Sequence, residues 1–382
     1  MSKKILIVGC GFSGATFGRM AAEAGHEVTI IDRRDHIGGN AYTYRDEETG
    51  IDVHKYGAHI FHTNDDKVWA FVNRFSKFNN YTNRVKAITG GHIYTLPVNL
   101  HTINQFFGKT FTPKEAEAFI ESLRVPVAQV TNFEEFVISS IGEELYEAFY
   151  KYYSIKQWGV HPTEIIASTA KRLPIRFYYD DNYFGDKYQG IPIDGYTSLF
   201  ERMLAHPNIK VILKTEYTDV KDSWRKRYDN MVFTGPIDYY FDHCYGKLPY
   251  RTLRFEEIRD KEIQGNAVVN YTDMSQPFTR VIEHKYFAPG KKYEHSVGFK
   301  EFSEAADSSH DPYYPVRNGQ SDKIFSQYDK LAATERDVLF LGRLAEFKYY
   351  DMHQVIGAAL AAFRRWAGKE TNATTAPAAI AA

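Results

Sequence analysis

Residues 9–14 read Gly9-Cys10-Gly11-Phe12-Ser13-Gly14, a G-x-G-x-x-G placed directly after an apolar stretch (KKILIVG, 3–9) and before an alanine-rich one. Gly9 permits a tight turn, Gly11 lets backbone N–H groups approach a pyrophosphate, and Gly14 allows close packing of a helix on a strand. By itself the pattern is weak, and its context strengthens it. Residues 27–32 (EVTIID) read as a second strand ending on Asp32, the position from which a carboxylate bonds a ribose hydroxyl and repels a 2′-phosphate. A strand, a helix to about residue 24 and a second strand make a βαβ opening, which commits the chain to a parallel sheet. Whether the dinucleotide is NAD or FAD stays open at this point.

At 382 residues the chain has room for two or three domains. Its formal net charge of -1 offers no basic field for nucleic acid or an anionic membrane, so a polyanionic ligand must be small and held by a few local cations. Cys10 and Cys244 stand too far apart for a zinc ribbon or CxxC pair, and two cysteines make no disulfide scaffold. The first residues are too soon interrupted by glycine for a signal peptide, and no apolar run reaches the roughly 20 residues of a membrane span. A cytoplasmic protein is expected. Of 28 Tyr and 27 Phe, several form doublets (178–179, 239–240, 313–314, 349–350). These read either as half-exposed core aromatics or as a ligand surface that stacks rings and donates from uncharged phenols.

Further strands are expected at 92–96, 210–215, 231–234 and 337–342, with 250–300 rich in β-formers. The middle of the chain is helical in pattern. Thr112-Pro113-Lys114-Glu115 has the residues of a helix start, and Asn132 with Glu135 resembles a second capping pair. A long apolar helical face follows through Phe136, Val137, Ile141, Leu145 and Phe149. The expected fold class is α/β, a discontinuous Rossmann-like domain with an inserted helical domain and a β-sheet substrate domain. Its pieces are 1–80, 185–245 and 330–368 for the dinucleotide domain, 100–175 for the helical domain with a mobile loop, and 80–100 with 246–329 for the sheet. Residues 369–382 lack large side chains and read as a disordered tail.

Arg33-Arg34-Asp35-His36-Ile37-Gly38-Gly39-Asn40 resembles the second glycine pair of FAD enzymes of the glutathione-reductase type, where a nicotinamide dehydrogenase would run into its next helix. VFTGP at 232–236 and LFLGR at 339–343, the latter followed by a helix from Asp351, resemble the later flavin segments of such enzymes. FAD is therefore the expected cofactor. Its expected contacts are Gly9, Gly11, Phe12, Ser13, Gly14, Asp32, Arg33, Gly39, Asn40, His59, Gly235, Arg343, Tyr350, Asp351 and Met352.

Longer motifs narrow the reading: HIGGNAY at 36–42, HKYGAHIFHTN at 54–64, KQWG at 156–159, DNYF at 181–184, QGIP at 189–192, YYPV at 313–316 and KYYDMHQ at 348–354. With these, nearly the whole chain resembles the bacterial UDP-galactopyranose mutases. The resemblance implies a reaction without net redox change, interconverting UDP-galactopyranose and UDP-galactofuranose. In it, N5 of reduced FAD attacks the anomeric carbon, UDP leaves, and the flavin–sugar adduct opens to an iminium and recloses as the smaller ring. NAD(P)H or another reductant only primes the flavin. The resemblance assigns Arg280 and the loop residue Arg172 to the diphosphate and to catalysis, and Tyr183, Tyr314 and Tyr349 to phosphate donation. It places Tyr153, Trp158 and Phe149 around the uracil, with ordinary helix core as the alternative for Phe149, and Asn270 near the sugar; it requires no metal and implies a homodimer. Two other readings share the FAD motifs: a flavin amine oxidase or desaturase, and a non-catalytic binding module of the same fold.

Overall fold

The computed structural model describes residues 2–170, 174–306 and 311–375, with 369–375 as backbone only. Five parallel strands form the first sheet, in the order Val338–Phe340, Asn230–Phe233, Lys4–Val8, Glu27–Ile31, Ile209–Ile212. Three distant stretches of sequence thus build one sheet, which is the discontinuous Rossmann-like arrangement expected. Strand side chains alternate between its faces. Ile5 and Ile7 pack under the helices Phe12–Glu23 and Met352–Thr375, with Phe17 and Phe363 at 5.6 Å, while Leu6 and Phe233 pack on the other face with Trp224 and Tyr240.

The second sheet has seven strands, in the order Tyr314–Pro315, Tyr250–Asp260, Ser296–Ala305, Arg280–Glu283, Val268–Tyr271, Val85–Thr89, His92–Leu96. Its pairs are antiparallel except Val268–Tyr271 with Val85–Thr89. The register places Tyr94, Ala87, Asn270, Arg280, Glu301 and Phe255 opposite one another in a single row. Residues in such a row share one face of the sheet.

The inserted helices begin as the sequence predicts. Thr112 caps Pro113–Leu123 in a capping box with Glu115, and Asn132 Oδ1 accepts from the Glu135 N–H at 3.0 Å. The Glu135 carboxylate, however, accepts from Thr131 (2.8 Å from its N–H, 2.7 Å from its hydroxyl) rather than from Asn132. The single long helix expected after Asn132 is broken. Phe133–Ile141 stops at Gly142, whose φ of 81° suits a glycine far better than a side-chain residue, and a short helix Glu143–Tyr146 leads into a π-helical turn, Glu147–Lys151. An α-helix, Tyr152–Trp158, then resumes.

Two expected boundaries fall inside elements. The 329/330 boundary cuts the helix Gly319–Ala332, whose Tyr328 packs with Ile237, Leu248 and Phe347, and the 368/369 boundary cuts Met352–Thr375. The backbone is helical well into the tail read as disordered. Among the described residues, no helix is long and apolar enough to cross a membrane.

Candidate active site

A cavity of about 630 Å³ opens at the carboxyl edge of the parallel sheet. Gly9 has φ +105°, and a Cβ there would lie 2.0 Å from Thr234 Oγ1; a Cβ at Gly14 would lie 2.1 Å from the Gly9 carbonyl oxygen. The second glycine turn rests against the first, since a Cβ at Gly39 would come within 3.0 Å of Gly11 Cα. No side chain caps the helix Phe12–Glu23, so its first N–H groups are left to face the cavity as an anion site. Asp32 lines the cavity with both carboxylate oxygens oriented, one accepting from the Cys10 N–H (2.8 Å) and one from the Arg34 N–H (3.0 Å). Burial and the neighbouring Asp32 push the Cys10 thiol up to about 12, so Cys10 is an inert packing residue.

Of the expected cofactor contacts, all but Gly14, Tyr350 and Asp351 line this cavity. Gly14 acts one layer behind, where its missing side chain lets the helix close on the strand. Tyr350 turns its phenol to Glu346 (3.1 Å) and gives its carbonyl to Arg343 (3.1 Å from Nε), so its side chain belongs to the wall behind the cavity. Asp351 donates its N–H to Gln354 at 2.9 Å and accepts from the Val355 N–H, forming the first turn of the helix whose Met352 and Val355 reach the cavity. Arg33 lines the cavity with its guanidinium paired to Asp311, which Arg34 also holds at 2.6 Å.

Arg343 and His59 connect this cavity to a second cluster. The Arg343 guanidinium lies 5.3 Å from the ring centroid of Tyr349. His59 gives Nδ1 to the Gly57 carbonyl at 2.7 Å, and burial together with the charges of Arg343 and Arg280 pushes its pKa down to about 4. His59 is therefore neutral at pH 7.

In the second cluster, Trp158, Tyr314 and Tyr349 form a triangle with centroids 5.4, 6.1 and 5.9 Å apart. Arg280, Tyr183 and Tyr349 each lie within electrostatic range of Tyr153, and burial raises the phenols of Tyr153 and Tyr314, which stay protonated as donors. Arg280 donates through Nε at 2.8 Å to one carboxylate oxygen of Glu301, which is 0% exposed, and its Nη2 is ion-paired with the same oxygen at 2.8 Å. Burial opposes the charge of Arg280, and the Glu301 carboxylate outweighs it. Beside Arg280 in the row, Asn270 is buried with no hydrogen-bond partner for Oδ1 among the described residues.

Phe149 differs from the expectation. It is 3% exposed and packs on Tyr94 (5.2 Å) and Phe106 (5.6 Å), so its ring is core between the helices and the sheet. Arg172 lies outside the described residues. The sequence reading missed Thr215 and Lys247, which line the cavity with Asp32, and Tyr239 of the 239–240 doublet lines it too. Thr215 lies just past the strand Ile209–Ile212, which pairs parallel with Glu27–Ile31, and the carboxyl edge of such a sheet is where ligands sit; the sequence reading expected that strand over 210–215, and its carboxyl end was the signal for a ligand position there. Glu301 was missed as well.

The family model for UDP-galactopyranose mutase matches residues 148–349, more than half of the chain and most of this second cluster. The chain belongs to the UDP-galactopyranose mutase family. A model for an NAD(P)-binding Rossmann-like domain matches residues 7–75. The chain is 47% identical to the probable UDP-galactopyranose mutase of Klebsiella pneumoniae over 94% of this chain and 93% of that protein. It is 48% identical to the dTDP-fucopyranose mutase of Escherichia coli over 94% of this chain and 96% of that protein. A crystal structure of a reduced UDP-galactopyranose mutase superposes with TM-score 0.76 at 16% identity, covering 97% of this chain and 95% of the other, and supports the shared fold. The chain is accordingly an enzyme of an isomerase family.

Proposed function

We propose that this enzyme interconverts UDP-galactopyranose and UDP-galactofuranose on a bound FAD. The observation that carries the reading is the junction at His59 and Arg343, where a glycine-built dinucleotide cradle meets an aromatic cluster holding the half-buried Arg280. The cradle fits the cofactor: two glycine turns in contact, uncapped helix N–H groups for the pyrophosphate and an oriented Asp32 for a ribose. When bound and reduced, the flavin supplies an electron-rich nucleophile for the anomeric carbon. Gly14→Ala tests the cradle. Its Cβ would press on a backbone oxygen that cannot move cheaply, and a binding cost above about 1.4 kcal/mol weakens affinity more than tenfold. The purified variant should lose most of its visible flavin absorbance; full occupancy would show that the cofactor lies elsewhere.

The chain's own residues then hold the substrate in place. Arg280, always charged, binds the departing and returning diphosphate, and the protonated phenols of Tyr183, Tyr314 and Tyr349 donate to it. The unpartnered Asn270 Oδ1 accepts from a sugar hydroxyl, and the helix N-terminus at Met352 with Arg343 favours negative charge on the cofactor's carbonyl edge. Tyr153 stacks on the base. Tyr153→Ala should weaken UDP binding by about 1–3 kcal/mol while Tyr153→Phe keeps most of it, as read by calorimetric titration. Unchanged binding by the alanine variant would move the base elsewhere.

A second reading, dTDP-fucopyranose as substrate, is favoured by the Escherichia coli relative of nearly equal identity. Parallel assays with UDP-galactofuranose and dTDP-fucofuranose decide between them. The proposal expects faster turnover of the uridine substrate, and conversion of the thymidine substrate alone would overturn it.

A further inference from the structure

The Lys156 ammonium lies among four backbone carbonyls, those of Tyr271 (2.7 Å), Asp273 (2.7 Å), Gln276 (3.1 Å) and Phe278 (3.1 Å). The first is the last residue of the strand Val268–Tyr271, and the other three lie in the turn that joins it to the strand beginning at Arg280. An ammonium has three N–H donors, so every one is used and one is shared. Lys156 itself sits on the helix Tyr152–Trp158, one turn after Tyr153 and on the same side. Thr272 adds a second tie from that turn, donating to the Ala148 carbonyl in the π-helical stretch at 2.8 Å.

The arrangement resembles a cation site filled by a side chain. Four carbonyl dipoles converge on one point, where without the ammonium they would repel one another. Burial pushes the Lys156 pKa down to about 8, opposed by the nearby Asp273, so the group is still mainly charged at pH 7. The Asp273 carboxylate is itself committed, to the Ser275 N–H within the turn (2.9 Å) and to the Gly90 N–H of the hairpin between Val85–Thr89 and His92–Leu96 (2.8 Å).

We propose that Lys156 is a positioning residue that fixes the span between the helix carrying Tyr153 and the strand carrying Arg280, and so presets the length of nucleoside diphosphate the site accepts. This rests on the reading of Tyr153 as the base platform and Arg280 as the phosphate ligand. Of these two elements, a uridine diphosphate must touch both at once, whereas uridine needs the helix and not the strand, and pyrophosphate the strand and not the helix. A misplaced span penalises the two-ended ligand and spares each one-ended piece.

The test compares UDP, uridine and inorganic pyrophosphate binding to flavin-loaded wild type, Lys156→Met and Lys156→Gln. In Lys156→Met, UDP affinity should fall at least about tenfold while uridine and pyrophosphate each stay within about twofold of wild type. Lys156→Gln keeps two N–H donors without the charge and should show the same pattern to a smaller degree; it is the deciding variant if Lys156→Met does not fold. Equal weakening of all three ligands would mean that Lys156 merely stabilises the fold. Unchanged UDP binding would mean that other contacts set the span. Either result overturns the inference. A wild type that binds none of the three would instead overturn the nucleotide-sugar reading.

Discussion

Arg280→Ala should cut turnover at least about a hundredfold and also lower the melting temperature, and adding Glu301→Gln should restore the stability without the turnover. Two effects of one side chain are being separated. Toward the ligand, the proposed role of Arg280 would supply charge-assisted hydrogen bonds worth roughly 1.5–3 kcal/mol each, and losing two of them from the transition state would exceed a hundredfold in rate. Toward the protein, it compensates Glu301, whose one carboxylate oxygen takes both Arg280 contacts while the other has no partner among the described residues. Removing one member of a buried ion pair strands the other, at a cost of about 3–5 kcal/mol. Neutralising Glu301 removes that cost and supplies nothing to bind phosphate. Thermal unfolding and steady-state kinetics on the single and double variants check both halves. An Arg280→Ala protein as stable as its parent would refute the buried-pair argument, and recovery of turnover in the double variant would remove Arg280 from the diphosphate.

Which parts of this site could be read from the sequence follows from how local each device is. The cradle was legible because a strand, a glycine turn and a helix are contiguous, and the steric demands on Gly9 and Gly14 act within a few residues. The Arg280–Glu301 pair was not, because only the antiparallel register of two strands brings those residues opposite each other. The same holds for Asn270 beside Arg280.

Phe149 illustrates a different failure. Its spacing from Leu145 and Tyr153 does place it on the apolar face of a helix, but apolar spacing cannot say whether that face meets a ligand or a sheet. The sheet wins here, through Tyr94. Gly142 could have warned that the long helix breaks, since a glycine inside a helical pattern is a breaker signal. The π-helical turn that follows has no comparable sequence mark.

Enzyme with reduced flavin should sustain many turnovers without consuming further reductant, while oxidised enzyme should run at no more than about one hundredth of that rate. The argument begins with the electron pair. Displacing a diphosphate from an anomeric carbon needs a nucleophile, and an oxidised flavin is electron-poor and offers a poor one. On the proposed reading, reduction would supply the pair, and because the sugar would leave at the same oxidation level at which it entered, the pair would be returned at the end of each cycle. The surroundings would favour that state, with Arg343 and the first turn of the helix Met352–Thr375 lining the cavity and His59 held neutral. An amine oxidase or desaturase reading makes the opposite demand: oxidised flavin accepts a hydride, and an acceptor such as oxygen is consumed once per turnover. Anaerobic assays on dithionite-reduced and on oxidised protein, with sugar products followed by chromatography and peroxide measured in air, separate the two. Sustained isomerisation by fully oxidised enzyme, or peroxide formed one-for-one with substrate, would sink the nucleophilic reading even if FAD fills the cradle.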